Sequence, residues 1–220
     1  MRAALTGLDA ANVRIVELGA GTGLGTRVIA RAVPNARITA VEPSGHLRAA
    51  LLNRVTSDQD LRARVTVENR PFPGSRLPEK FDALVMINSL GHLESAERGE
   101  LWRVIADGLR PGGCAIVNLQ APSVSSDVPE FEMARELVGD REYHGTARAE
   151  RLDDSTMAWH MTYRTSENGV ELDATEVEYR WNVLDADTLA AELVEQDLRA
   201  EAVGEEQFGI FRIEPDSGRR

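Results

Sequence analysis

The chain has 220 residues and a formal net charge of -11 at pH 7, with 42% hydrophobic and 28% charged residues. This composition excludes a disordered chain, and the length is sufficient for one domain with a buried core. The negative charge repels phosphate backbones and anionic membrane surfaces, so neither nucleic acid nor a membrane is an expected partner.

Cysteine usage and the N-terminus bear on the compartment. The single cysteine, Cys114, excludes an internal disulfide and is typical of a reducing environment. Residues 1–13 lack the apolar stretch of a signal peptide. No segment approaches the roughly 20 apolar residues of a membrane span. We therefore expect a cytoplasmic protein.

Short apolar runs alternate with helical patterns in the first half of the chain. The predicted strands cover residues 13–18, 36–42, 64–69, 81–88 and 114–119. The predicted helices cover residues 22–33, 44–55 and 95–109, and the RPGG sequence at 110–113 is expected to close the last of them. Such alternation predicts a parallel sheet with helices on both faces, which is a doubly wound α/β fold.

The pattern changes after residue 120. Residues 131–139 are predicted to form a short helix, and three segments of alternating residues are predicted antiparallel strands, 143–152, 156–166 and 170–184. A helix over 185–196 and strands over 198–204 and 208–214 follow. The simplest interpretation is a single domain over 1–220, with a core at 13–120, an insertion at 121–184, and a final helix and strands at 185–215.

Residues 16–26, VELGAGTGLGT, place four glycines at alternate positions. A loop without side chains lets a ligand lie directly on the backbone, although glycines can also serve only a tight turn. The G-x-G-x-x-G dinucleotide fingerprint does not match because Leu24 stands at its third glycine, and the Gly-Lys-Ser/Thr ending of a P-loop is absent. Glu42 ends the next strand, where a carboxylate can accept both hydroxyls of a ribose.

Four motifs in this order, VELGAGTG, VEPS, FDALVMINSLGHL and LRPGGCAIVNL, resemble those of the class I S-adenosylmethionine-dependent methyltransferases. The resemblance covers residues 13–120. Within that family the chain looks most like small-molecule N-methyltransferases that act on amino sugars and glycine-like amines. The resemblance implies a doubly wound, Rossmann-like methyltransferase sheet with a small inserted antiparallel β-sheet, and S-adenosyl-L-methionine as the cofactor.

The resemblance also implies the cofactor-binding residues. Glu17 and the backbone of 19–23 would surround the amino-acid part of the cofactor, Glu42 would take the ribose hydroxyls, and Asn88 with Ser89 would lie near the sulfonium. The full implied set is Glu17, Gly19, Ala20, Gly21, Thr22, Gly23, Glu42, Pro43, Leu47, Arg70, Pro71, Asn88 and Ser89.

The adenine side departs from the family pattern. Leu47 would pack against the adenine, or else it is an ordinary core residue of its helix. The family commonly has an acid shortly after the third strand, and by spacing that position is Pro71, between Arg70 and Phe72. We therefore expect backbone and packing to hold the adenine.

His92, in NSLGHL, follows the fourth strand and is the candidate catalytic residue. An imidazole at this position can accept a proton from an amine or hydroxyl during methyl transfer, or the histidine only shapes the pocket. No cluster of histidines or carboxylates predicts a metal site. In the relatives the inserted sheet helps to build the acceptor pocket. Here it offers polar and aromatic candidates, which are otherwise core or interface residues: Tyr143, His144, Trp159, His160, Tyr163, Arg164, Tyr179 and Trp181.

The predicted function is methyl transfer from S-adenosylmethionine to a small-molecule amine or hydroxyl by in-line displacement. The alternative is a non-methylating protein on the same scaffold, a cyclase or a sensor, that uses the cofactor structurally. About a dozen residues precede the first strand, so a lid over the cofactor is absent, truncated or supplied by another subunit. This, with the aromatic-rich inserted strands, predicts a homodimer.

Overall fold

The chain divides into two compact units in the computed structural model, which describes residues 5, 7, 8, 12–216 and 218. The first unit comprises residues 1–120 and 185–220, and the second comprises 121–184. The second unit therefore spans the same residues as the insertion suggested by the change of pattern in the sequence.

A seven-stranded sheet forms the centre of the first unit. Its strands are β1 (Arg14–Leu18), β2 (Arg37–Val41), β3 (Val65–Glu68), β4 (Phe81–Met86), β5 (Leu109–Asn118), β10 (Leu198–Ala202) and β11 (Ile210–Pro215). They lie in the order β10-β11-β5-β4-β1-β2-β3. The first five strands pair in parallel, whereas β11 runs antiparallel to β5 and to β10. The doubly wound α/β prediction is confirmed.

Burial of both faces explains why the central strands could be predicted from the sequence. β1 and β4 are buried along nearly their whole length, so both of their faces carry apolar side chains. Ile15, Ile38, Val85 and Ile116 form part of one continuous core, each at most 1% exposed. Because β1 lies between β2 and β4, the chain changes direction beside β1, and a crevice opens at the carboxyl ends of these strands.

Five helices complete the described part of the first unit. They are α1 (Leu24–Ala32), α2 (Gly45–Thr56), α3 (Gln59–Arg64), α4 (Ser95–Gly108) and α5 (Ala186–Val194). Side chains of Ser44, Asp58 and Asp185 accept backbone N–H groups at the starts of α2, α3 and α5. The short helix α3 was not predicted. None of the described helices is both long enough and apolar enough to span a bilayer.

One predicted boundary is wrong. The RPGG sequence at 110–113 was expected to be a helix stop, but it lies inside β5, which begins at Leu109. Phe81 pairs with Leu109 and Ala83 with Cys114, so the ladder is irregular and 110–113 bulges from it. Gly112 accommodates this irregularity with a φ of +79°.

The second unit is a four-stranded antiparallel sheet. Its strands β6 (Val128–Val138), β7 (Arg141–Arg151), β8 (Thr156–Glu167) and β9 (Val170–Asn182) pair in sequence order. The helix predicted over 131–139 is therefore wrong, because this segment is β6 and pairs with β7 over most of its length. Ala147, Ala149, Met157, Trp159 and Trp181 form the buried cluster of this unit.

Candidate cofactor and active site

A cavity of about 690 Å³ lies at the carboxyl ends of β1, β2 and β4. Its volume falls within the range of small-molecule sites. It brings together nine residues predicted from the sequence: Gly19, Gly21, Glu42, Pro43, Leu47, Pro71, Asn88, Ser89 and His92. A neighbouring cavity of about 190 Å³ is bordered by Glu17, Gly19, Ala20, Thr22 and Asn88. Gly19 and Asn88 line both cavities, so the two meet there.

The first two glycines of the loop fix its path across the sheet. The N–H groups of Gly19 and Ala20 both donate to the carbonyl of Val41, at 3.0 and 2.9 Å, which ties the loop to the end of β2. Gly19 has a φ of +71°, and a Cβ there would lie 2.6 Å from the Ser89 hydroxyl. Gly21 has a φ of +58°, and a Cβ there would meet no described atom within 4 Å. The space above Gly21 is therefore open to a ligand.

The next two glycines serve packing. Gly23 caps α1 in the left-handed conformation, and a Cβ there would lie 2.7 Å from Leu51. A Cβ at Gly25 would collide with the Glu17 carboxylate. Gly19, Gly21 and Gly23 thus have the positive φ values that the turn requires, and the open space above Gly21 also leaves room for a ligand.

Glu42 is buried at the cavity wall and its carboxylate is fixed by two backbone groups. Its Oε2 accepts the N–H of Gly21 at 2.7 Å, and its Oε1 accepts the N–H of Ser44 at 2.8 Å. A carboxylate has about four acceptor positions, so each oxygen can still accept one further hydrogen bond. The side chain is thereby oriented to accept a pair of hydroxyls.

Glu17 lies beneath the loop, 5% exposed, and accepts a hydrogen bond from the Thr26 hydroxyl at 2.5 Å. Burial raises its pKa from 4.5 to about 7, and the hydrogen bond from Thr26 only partly opposes this. A carboxylate that is costly to ionise is stabilised by an incoming cation. Its position beside the smaller cavity suits an ammonium group there.

Asn88 holds a strained backbone at the junction of the two cavities. Its φ is +54°, in the left-handed region that few residues other than glycine adopt. Asn118, at the end of β5, holds this turn with both ends of its amide. Its Oδ1 accepts the Asn88 N–H at 2.6 Å, and its Nδ2 donates to the Asn88 Oδ1 at 2.7 Å. We call this arrangement the amide pair.

His92 ends a 3-10 turn, Leu90–His92, which lies three residues after the end of β4. It lines the same cavity as Glu42 and Glu97. Partial burial lowers the pKa of His92, and the negative charge of Glu42 opposes that effect. With the pKa below 6.5, the imidazole is neutral at neutral pH and can accept a proton.

The remaining predicted residues are divided between the cavity and the surface. Leu47 is 43% exposed and lines the cavity, so it is not a core residue of α2. Pro71 and Phe72 line the cavity as well. The exposed Arg70 does not, and its backbone N–H donates to Glu68 at 3.0 Å.

Comparison with known proteins relates the segment that contains this site to methyltransferase domains. Residues 16–115 match a family model described as a methyltransferase domain, and this segment contains the glycine loop, Glu42 and His92. The match covers 100 of the 220 residues, and over this segment the chain is similar to methyltransferase domains. This match agrees with the resemblance seen in the sequence motifs, which implies S-adenosylmethionine as the cofactor.

Individual relatives match the chain over different lengths. Demethylmenaquinone methyltransferase of Tropheryma whipplei is 32% identical over 107 residues, or 49% of this chain and 41% of that protein. The chain spans less than half the length of the curated relatives it matches.

Two solved structures share the fold across most of the chain. The sugar N-methyltransferase KedS8 from Streptoalloteichus sp. superposes with a TM-score of 0.76 at 19% identity, over 97% of this chain and 83% of its own. CalS10, an amino pentose methyltransferase from Micromonospora echinaspora whose structure holds bound S-adenosylmethionine, gives a TM-score of 0.75 at 16% identity. That match covers 96% of this chain and 85% of the other. At these identities the likeness is one of fold.

The site fits the cofactor on two structural grounds. A backbone cradle lies open above Gly21, and Glu42 retains acceptor positions beside it. Glu17 adds a buried carboxylate whose raised pKa would be lowered by the cofactor's ammonium. Of the predicted cofactor-binding residues, Gly23 and Arg70 line neither cavity. Gly23 shapes the glycine loop at the start of α1, and Arg70 lies on the surface.

The structure also places the predicted acceptor residues within the second unit. Trp159 and Trp181 are buried in its apolar cluster. His144 lies 3.1 Å from the carboxylate of Glu132, and His160 lies 3.6 Å from that of Glu178. Tyr143 and Tyr163 are exposed, Arg164 pairs with Glu171 at 3.4 Å, and the ring of Tyr179 packs edge-on against that of Trp181. No group of three or more potential metal ligands exists among the described residues.

Several residues of the site lie outside the set predicted from the sequence, and three of them are polar or aromatic side chains with a clear position. Asn118, Phe72 and Glu97 each lie at or beside the cavities but outside the predicted set. A polar residue ending a buried strand was the available signal for Asn118. Glu97 completes the capping box at the start of α4. In the sequence this structural role accounts for the glutamate, so nothing marks it as a cavity residue.

Proposed function

We propose that this chain transfers a methyl group from S-adenosylmethionine to the nitrogen of a small-molecule amine. The observation that carries the proposal is that His92 and Glu42 line one cavity, with Asn88 where that cavity meets the smaller one. The cofactor's ribose would then lie at Glu42 and its sulfonium near Asn88, within the cavity that His92 faces.

The charge of the cavity favours an amine over a hydroxyl. Glu42 and Glu97 contribute carboxylates to the wall, whereas no arginine or lysine does so among the described residues. An acidic wall attracts a protonated amine and disfavours an anionic acceptor. The names of KedS8 and CalS10, a sugar N-methyltransferase and an amino pentose methyltransferase, support the same chemistry.

The chain's own groups would act mainly by positioning. The cofactor supplies an electrophilic methyl group on its sulfonium, and the acceptor attacks it in line. The glycine loop and Glu42 would fix the donor, which raises the effective concentration of the reacting pair. His92, neutral at pH 7, would receive the proton that the amine loses as the new C–N bond forms.

A turnover assay tests the proposal. The enzyme is incubated with methyl-labelled S-adenosylmethionine and a panel of small amines and matching alcohols. Release of S-adenosylhomocysteine with label on an amine supports it, whereas label on an alcohol would show that the acceptor is a hydroxyl. A donor that binds but stays intact with every acceptor would favour the non-methylating alternative.

The role of His92 is tested by replacing it. We expect His92→Asn to lower kcat by about 10²–10⁴-fold, which is the usual contribution of general base catalysis. Donor affinity should stay unchanged because the glycine loop and Glu42 are untouched. A rise in acceptor KM alone would show that His92 only shapes the pocket, and wild-type kinetics would remove it from the mechanism.

A further inference from the structure

A separate cavity of about 330 Å³ lies at the amino edge of the seven-stranded sheet, where β1, β2 and β3 begin. Arg14, Arg37, Arg62 and Arg64 contribute to its wall, together with Thr39 and Thr66. We call it the arginine cavity. It lies at the opposite ends of these strands from the cofactor site, so its role does not depend on the proposed activity.

The strand register brings the arginines to one level. Arg14 of β1 is the direct partner of Arg37 of β2. Ile38 pairs with Val65, so Arg37 and Arg64 stand next to each other one residue earlier. Like charges placed opposite each other on neighbouring strands are destabilising. Such an arrangement is unexpected in a chain with a net charge of -11.

Only one of these arginines is neutralised within the described part of the chain. Arg64 pairs with Asp60 and donates to the carbonyls of Ala30 and Ala36 at 3.2 and 3.0 Å. These contacts hold its guanidinium in one position at the wall of the cavity. The side chains of Arg14, Arg37 and Arg62 form no hydrogen bond or ion pair with any described residue, and all three residues are exposed.

Nearby acidic charge is already engaged. The Asp82 carboxylate accepts the backbone N–H of Arg14 at 2.7 Å and pairs with Arg110 at 2.9 Å. Three arginines, Arg14, Arg37 and Arg62, therefore line one cavity with no carboxylate paired to them among the described residues. An anion in the cavity would remove their mutual repulsion.

We propose that the arginine cavity binds the phosphate group of a small phosphorylated molecule. A guanidinium presents planar paired donors that match phosphate oxygens, and the hydroxyls of Thr39 and Thr66 can add further donors. A volume of about 330 Å³ suits a small ligand. The overall negative charge disfavours a polymeric polyanion, so the ligand is a small molecule.

Calorimetric titration of the full chain with pyrophosphate and with inorganic phosphate, at low ionic strength, tests the proposal. We expect one site per chain, with an affinity that falls as salt is added. Arg37→Gln and Arg62→Gln should each weaken binding about tenfold or more, because each removes charge-assisted hydrogen bonds. Arg103→Gln is the matched control, since Arg103 is an exposed arginine of α4 outside this cavity.

The results that overturn the proposal are distinct. The proposal is wrong if pyrophosphate does not bind at low salt, or if Arg37→Gln binds pyrophosphate as tightly as wild type. Equal losses in Arg37→Gln and Arg103→Gln would show a diffuse charge effect. Competition between pyrophosphate and S-adenosylhomocysteine would move binding to the cofactor cavity, and binding of an oligonucleotide without pyrophosphate binding would point to a polymer. Matching circular dichroism spectra confirm that the variants are folded.

Discussion

Glu17 is a buried acid whose ionisation opposes folding. Its pKa is about 7 in the folded chain against 4.5 for an ordinary glutamate, so the folded state binds more protons between these values. Stability from this group is therefore complete below pH 4.5 and is lost as the pH rises through 7. The difference in pKa corresponds to about 3 kcal/mol at high pH.

We predict that Glu17→Gln flattens this dependence. In urea titrations without cofactor, the variant should exceed wild type in free energy of unfolding by about 3 kcal/mol at pH 8, with little difference at pH 5. It should also bind S-adenosylmethionine more weakly at pH 8, because the cofactor's ammonium loses a carboxylate. Glu100→Gln, on the exposed surface of α4, is the control. Parallel pH profiles for wild type and Glu17→Gln would contradict the prediction.

Glu42 offers a second test at single-residue scale. We expect Glu42→Ala to weaken S-adenosylmethionine binding by about 1.5–3 kcal/mol, since charge-assisted hydrogen bonds to the ribose would be lost. Calorimetry measures the effect, and Glu97→Gln serves as a control that also lines the cavity. Unchanged affinity in a folded Glu42→Ala protein would remove the ribose assignment.

At the scale of elements, the amide pair joins the ends of β4 and β5. Asn118 accepts from the backbone of Asn88 and donates to its side chain, so it stabilises a left-handed turn. We predict that Asn118→Ala lowers the free energy of unfolding by about 1–3 kcal/mol. The cost should be smaller in an Asn88→Gly background, because glycine adopts a positive φ without strain.

A double-mutant cycle measures this coupling. Urea unfolding of wild type, both single variants and the double variant should give an interaction free energy of about 0.5 kcal/mol or more. Strictly additive effects would show that Asn118 does not hold the turn. The same four proteins, assayed for turnover, show whether recovery of the turn also restores activity.

Elements with buried faces could be predicted from the sequence, whereas β6 could not. β1 and β4 are apolar along nearly their whole length because both faces are covered. β6 is exposed at most positions and contains three glutamates with one methionine, one alanine, one arginine and one leucine, all of which favour helices. Its strand form depends on pairing with β7, a contact that no local pattern records.

The candidate site follows the same division. Gly21, Glu42 and His92 lie within a few residues after strands of the parallel sheet, and such positions converge at its carboxyl edge. Asn118 is 30 residues from Asn88 and meets it only because β5 pairs with β4. The sequence therefore predicts the residues that reach the site because they follow a strand. It does not predict a residue such as Asn118, whose role depends on contact with a residue distant in the chain.

At the scale of the whole molecule, one face of the antiparallel sheet exposes aliphatic and aromatic side chains beyond its buried cluster, with the Arg141–Glu167 ion pair between Val138 and Val170 in its outermost row. Trp159 is buried on this face, and side chains that strand alternation places on the same face become exposed toward the β6–β7 and β8–β9 turns. Val138 is 64% exposed and Val170 is 63% exposed, with Tyr143 and Tyr163 at 45% and 48%. Exposed aliphatic and aromatic side chains grouped on one face are typical of a surface that contacts another protein.

We predict that a second copy of the chain covers this face and that the protein is a homodimer. Light scattering should give twice the chain mass of 24.1 kDa at working concentrations. The double variant Val138→Glu with Val170→Glu should give the monomer mass, because four buried carboxylates would face one another in the dimer. Leu137→Glu is the control: Leu137 is 73% exposed and, by strand alternation, points to the opposite face. A monomeric wild type, or a dimer that survives the double substitution, would reject this interface.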